Sequence, residues 1–145
     1  MLLFLRIYIA ISCLAIASNF TIAQSIDHWE TAVKNTDQWS YFIGNTEPSS
    51  QWIQPSFDAN AWSEGQGGFG YDDGDDNTTI EATPSVYIRK TFNLVDTSVI
   101  KHLILQADYD DAFVAYLNGV EIARSNIGTV GTPPAFDALS TTFKE

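Results

Sequence analysis

Two aspartate clusters are the residues of this chain whose types and spacing best suit chemistry. Asp72, Asp73, Asp75 and Asp76 crowd around Gly74, and Asp108, Asp110 and Asp111 form a second group. Ca²⁺ takes roughly six to eight hard oxygens, and it stabilises carboxylates that would otherwise repel one another. The spacing fails the D-x-[DN]-x-[DN]-G register, so an EF-hand is excluded. The same aspartates also suit turn caps on a solvated surface, and the sequence leaves both readings open. Carbohydrate binding is the other chemistry on offer. Sugars stack their apolar faces on Trp and Tyr, while acidic and amide groups accept hydroxyl protons. Trp52, Trp62, Tyr71 and Tyr109 lie in or beside loops, where sandwich ligand sites concentrate, and they are the expected sugar contacts. The alternative is that they plug the ends of the fold. Trp29 and Trp39 are assigned to a core.

Other constellations fail on inspection. His28 and His102 are isolated, which speaks against zinc. No Gly-x-Ser-x-Gly nucleophile elbow is present. Gly65-x-Gly67-Gly68-x-Gly70 has the glycine content of a phosphate loop without its lysine or the helix that follows. Asp110 and Asp111 are adjacent at a strand end, an awkward geometry for an acid–base pair in one cleft. Arg89 and Lys90 fall within a strand and are expected to pair with acids. No catalytic residue is assigned.

The elements that would hold these residues read as strands. Phe113-Val-Ala-Tyr-Leu117 and Val120-Glu-Ile122-Ala-Arg124 alternate on either side of a bare Asn118-Gly119, the signature of a type I′ hairpin. That turn sets Leu117 opposite Val120, Ala115 opposite Ile122 and Phe113 opposite Arg124. Phe113, Ala115, Leu117, Val120 and Ile122 then share one face to be buried. Further strands are expected at Trp29-Glu-Thr-Ala-Val33, at Trp39 to Gly44, over residues 86–94 and over residues 101–108. Residues 57–60 form at most one helical turn, and the glycines from 65 to 74 permit a long loop. Strands without intervening long helices favour an antiparallel two-sheet sandwich. Nothing after the hairpin supplies two convincing strands, so the domain is expected to be incomplete at its C-terminal side.

The first residues stand apart. Arg6 and the apolar run from Ile7 to Ala17, followed by Thr21-Ile22-Ala23, read as a secretory signal peptide over residues 1–23 cleaved near Ala23. Cys13 lies in a poor lipobox, and cleavage removes this sole cysteine. The exported product, residues 24–145, would then depend on a hydrophobic core instead of disulfides. Loss of Arg6 makes it one unit more acidic than the formal charge of −11 for the whole chain. Such a surface disfavours nucleic acid and anionic membranes, and it suits secretion or display at the cell surface.

Together these motifs resemble a known module. They run through Trp39-x-Tyr41-Phe42-x-Gly44-x-x-Glu47-Pro48 and Phe57-Asp58-x-x-x-Trp62-x-x-Gly65-x-Gly67-Gly68-Phe69-Gly70-Tyr71. They continue through Val86-Tyr87-Ile88-Arg89-Lys90-x-Phe92 to Asp108-Tyr109-Asp110-Asp111-x-Phe113 and Asn118-Gly119. The set resembles the galactose-binding-like jelly roll at the front of exported bacterial proteins of the CotH-kinase family, which often carry lamin-tail and C-terminal sorting domains. Ala112 departs from the pattern, which has Gly there. The resemblance implies an all-β antiparallel jelly-roll sandwich and a non-catalytic accessory module of a larger exported protein. Its expected partners are an extracellular glycan and the downstream domains of the same protein, with calcium as a structural ion. The alternatives are a portion of an extracellular kinase or hydrolase, or a structural adhesion and spacer domain.

Overall fold

The structure is a computed structural model that describes residues 28–71 and 74–143. The expected signal peptide lies outside the described residues. The chain divides into residues 1–30 and residues 31–145. In the first unit, His28 Nε2 lies 3.3 Å from Glu30 Oε1.

Among the described residues, seven strands and one 3₁₀ turn make up the regular structure, which is nearly all β. Strand β1 (Gln38–Ile43) is central, with β2 (Ser63–Gln66) antiparallel on one side and β5 (Val86–Arg89) antiparallel on the other. Strands β3 (Phe69–Gly70) and β4 (Thr78–Thr79) form a short parallel bridge across the glycine-rich loop. Strands β6 (Phe113–Leu117) and β7 (Val120–Ser125) form the hairpin.

The sequence of β1 explains its place. Residues directly opposite one another share a face, so Ser40 groups with Glu64 and Arg89, and Phe42 groups with Tyr87. Trp39, Tyr41 and Ile43 take the other face, where the Tyr41 ring meets Phe69 at 5.2 Å between centroids. The strand ends at Gly44, whose N–H donates to Ser85 O at 2.8 Å. A Cβ there would stand 2.6 Å from that oxygen, so only glycine lets the two backbones approach.

The hairpin turn is as expected: Asn118 and Gly119 both have positive φ, at 51° and 83°. Leu117 faces Val120, but a β-bulge intervenes between the pairs made by Tyr116 and Ala115. Tyr116 pairs with Glu121 and Ala115 with Ala123, leaving Ile122 as the extra residue. Phe113 therefore faces Ser125 instead of Arg124. The expected buried face is also only partly covered, since Val120 is 65% and Ile122 48% exposed.

Two expected strands are absent. Residues 29–33 form none, and Trp29 is exposed instead of buried. A local turn follows directly, in which Lys34 N donates to Asp37 Oδ2 at 3.0 Å and Asp37 N to Lys34 O at 3.1 Å. Residues 101–108 also form no strand, and every one of them is exposed. Their alternation is strand-like, but a strand exists only where a ladder partner does, and no described element pairs with them. The strand expected over 86–94 stops at Arg89.

No hydrophobic side chain among the described residues is fully buried. The apolar centre is a half-buried aromatic cluster on the Phe42 face of the sheet. Trp52, from the 3₁₀ turn Ser50–Ile53, meets Tyr87 at 5.3 Å and Tyr116 at 5.7 Å, both edge-on. It thereby joins the three-stranded sheet to the hairpin. Beyond β7 the chain returns to the domain: Ser85 Oγ donates to Phe136 O at 2.7 Å, and Phe136 N donates to Glu47 Oε1 at 2.8 Å.

A candidate carbohydrate cleft

The sheet register creates a row of unlike groups. Glu64 on β2, Ser40 on β1 and Arg89 on β5 lie side by side on the face that carries Phe42. The chain between the 3₁₀ turn and β2 folds over this row through three local bonds. Phe57 N donates to Gln54 O at 3.1 Å, Asn60 N to Asp58 Oδ1 at 2.9 Å, and Trp62 N to Ala59 O at 2.9 Å. The middle bond is an Asx turn, formed because a short carboxylate reaches the amide two residues on. The result is a cleft of about 480 Å³, with Ser40, Glu64 and Arg89 on its floor and Phe57, Asp58, Asn60 and Trp62 around it.

Its charged groups are held differently. Arg89 Nη1 donates to Trp52 O at 2.9 Å and to Gln54 O at 3.4 Å, and its guanidinium carbon sits 5.3 Å from the Phe57 ring centroid. These contacts replace the expected acid partner. Lys90 does find one, with Nζ 3.7 Å from Asp37 Oδ2. Trp62 is braced by Phe42 and Phe57, each at 5.5 Å, and by Trp52 at 6.2 Å. The cleft thus combines aromatic surface with carboxylate acceptors, a guanidinium donor, an amide and a hydroxyl.

Of the expected sugar contacts, Trp62 lines this cleft. Trp52 lies beside it, ordering Arg89 through its carbonyl while its ring braces Trp62. Tyr71 is 54% exposed and lines neither described cavity. Tyr109 lies in a second hollow of about 340 Å³, with Asp111, Ser125, Asn126, Thr142 and Phe143. There it shares a 2.8 Å hydrogen bond with Ser125 Oγ and meets the Phe113 ring at 4.5 Å, tilted by 60°.

Of the seven expected calcium ligands, five lie among the described residues. Asp72 and Asp73 lie outside the described residues. Asp76 sets its carboxylate against Gly70, Asp75, Asp108 and Asp110 are exposed, and Asp111 holds a φ of 56° beside the second hollow. Among the described residues, no three His, Cys, Asp or Glu side chains converge as a metal site would require.

The shortest ion pair among the described residues is one that strand periodicity argues against. Glu121 and Arg124 would face opposite ways in a regular strand, but the bulge at Ile122 puts both on the Tyr116 side. Arg124 then grips Glu121 with two bonds, Nε to Oε1 at 2.8 Å and Nη2 to Oε2 at 2.9 Å. It also donates to Ile127 O and Thr132 O, and Gly131 N donates to Glu121 Oε2 at 2.9 Å. The guanidinium, helped by that amide, lowers the Glu121 carboxyl from the ordinary 4.5 to about 2. Arg124 is raised by the same contact. Burial raises the Tyr87 and Tyr116 phenols.

Fold and cleft define an all-β protein with an aromatic-walled polar hollow on one sheet face. Comparison with protein-family models, with curated proteins and with solved structures finds no match to this chain.

Proposed function

We propose that this chain is a secreted, non-catalytic carbohydrate-binding module that serves a larger exported protein. One observation carries the reading: Trp62 and Phe57 wall a cleft whose floor presents Glu64, Ser40 and Arg89. Aromatic faces take the apolar side of a sugar ring, and groups of mixed donor and acceptor character take its hydroxyls. A glycan array probed with the full chain tests this. Binding that weakens when Trp62 is replaced supports the reading, and silence across glycans with a folded protein removes it.

The finer architecture we propose is the galactose-binding-like jelly roll. The exposure of Leu103 (57%) and Leu105 (51%), with that of Val120 and Ile122, supports it, because a second sheet layered on these residues would cover them. The parent is then a protein of the CotH-kinase type, with this module outside the catalytic domain. A calcium site in the loop through residues 72–76 belongs to the same reading. Calorimetric titration of the chelated chain with Ca²⁺ tests it, and the absence of both heat and a rise in melting temperature retires it.

A further inference from the structure

Resting on the carbohydrate reading, we infer that the cleft takes a neutral pyranose and discriminates against carboxylated sugars. The argument comes from which hydrogen-bonding roles its lining leaves open. Asp58 has one oxygen committed to Asn60 N, and its other oxygen has no partner among the described residues. The Glu64 carboxylate likewise has none. Both groups are exposed and accept only, so a ligand that displaces their water must offer donors in its place.

Arg89 supplies the opposite role. Its Nη1 is spent on the Trp52 and Gln54 carbonyls, which fix the guanidinium over Phe57 and leave Nε and Nη2 to donate. A sugar hydroxyl donates and accepts at once, so a ring carrying several can satisfy Asp58, Glu64 and Arg89 together. A carboxylate accepts only. On a pyranose it replaces one hydroxyl, so it offers Asp58 and Glu64 one donor fewer and sets a third negative charge against a single guanidinium. The acidity of the whole chain, formally −11, adds to that repulsion. The hollow of about 480 Å³ falls within the usual range for small-molecule sites and admits one or two rings.

The test is a heteronuclear NMR titration of the full chain, read at the Trp62 indole. The probes are methyl β-glucopyranoside, methyl β-galactopyranoside and methyl β-glucuronide at neutral pH. At least one neutral glycoside should shift the Trp62 signal and bind about tenfold or more tighter than the glucuronide, as expected of uncompensated charge in a partly enclosed site. Glu64→Gln should narrow that ratio several-fold by relieving the repulsion. Glucuronide binding at Trp62 as tight as or tighter than both neutral glycosides overturns the inference and leaves the carbohydrate reading standing. A well-dispersed spectrum that no probe shifts removes both.

Discussion

Replacing Trp52 with alanine should destabilise the domain by about 3–4 kcal/mol. The ring is half-buried, and full burial of a large aromatic covers about 150–250 Å², so roughly 100 Å² is at stake, or about 2.5 kcal/mol at 25 cal/mol/Å². Trp52 also makes three ring contacts, with Trp62, Tyr87 and Tyr116. At a minimum of about 0.5 kcal/mol each these contribute about 1.5 kcal/mol more. Compactness of the unfolded chain trims the area part by roughly 10–40%, which gives the stated range. The assay is urea denaturation followed by far-ultraviolet circular dichroism, which does not depend on the removed fluorophore. Trp52→Phe keeps a ring in the cluster and should lose only about 1–2 kcal/mol, so a measurable variant remains if the alanine form does not fold. Val130→Ala, at an exposed loop position, is the control and should stay within about 0.5 kcal/mol of the parent. A loss below about 1 kcal/mol for Trp52→Ala would refute the reasoning. Trp52 would then not be the joint between sheet and hairpin, and its ring would be free for a ligand.

Acid should weaken the hairpin through Glu121. Its folded value of about 2 lies below the ordinary 4.5, so its contribution is fully present above about pH 4.5 and is lost as pH falls towards 2. Glu121→Gln should flatten that part of the stability–pH curve in thermal melts. Gly44→Ala should cost about 1–3 kcal/mol, measured by urea titration, because the new Cβ forces the β1 end away from Ser85 and stretches the Gly44–Ser85 bond. Deleting Ile122 should restore a regular ladder and keep Arg124, then two positions from Glu121, on the same face. Hydrogen exchange at the Gly131 amide, which the Glu121 carboxylate holds, should then change little, whereas Arg124→Ala should accelerate it at least several-fold.

The turn and the strand cores were legible because local chemistry dictates them. Asn118 and Gly119 tolerate left-handed backbone, and the alternation of β1, β5 and β6 matches a pleated surface. The bulge was not legible: Val-Glu-Ile-Ala-Arg alternates as well in a regular ladder, and only the grip of Arg124 on Glu121 and the carbonyls of Ile127 and Thr132 favours the extra residue. The cleft was half legible. Trp62 was marked by type and by its loop neighbours, whereas Glu64 and Arg89 become neighbours of Ser40 only through a register that links residues far apart in the chain.

The segment over residues 101–108 shows most clearly where pattern stops and pairing begins. Its alternation of Leu103, Leu105 and Ala107 is as regular as that of β6, yet β6 is a strand and this segment is not. The difference is a partner. The turn at Asn118-Gly119 delivers β7 to β6 at the entropic cost of a two-residue loop, whereas residues 101–108 have no such neighbour among the described residues. Without a ladder, their backbone amides gain nothing over hydration, and Leu103 and Leu105 stay in water. The aromatic cluster escapes this dependence because Trp52, Trp62 and Phe57 approach Phe42 and Tyr87 through a short loop closed by its own hydrogen bonds. The cleft stands on the part of the fold whose contacts are closest to self-sufficient, so its binding should survive perturbation of residues 101–108. Leu103→Ser with Leu105→Ser should leave the Trp62 environment unchanged, and an altered indole signal in that variant would show that the cleft depends on this segment after all.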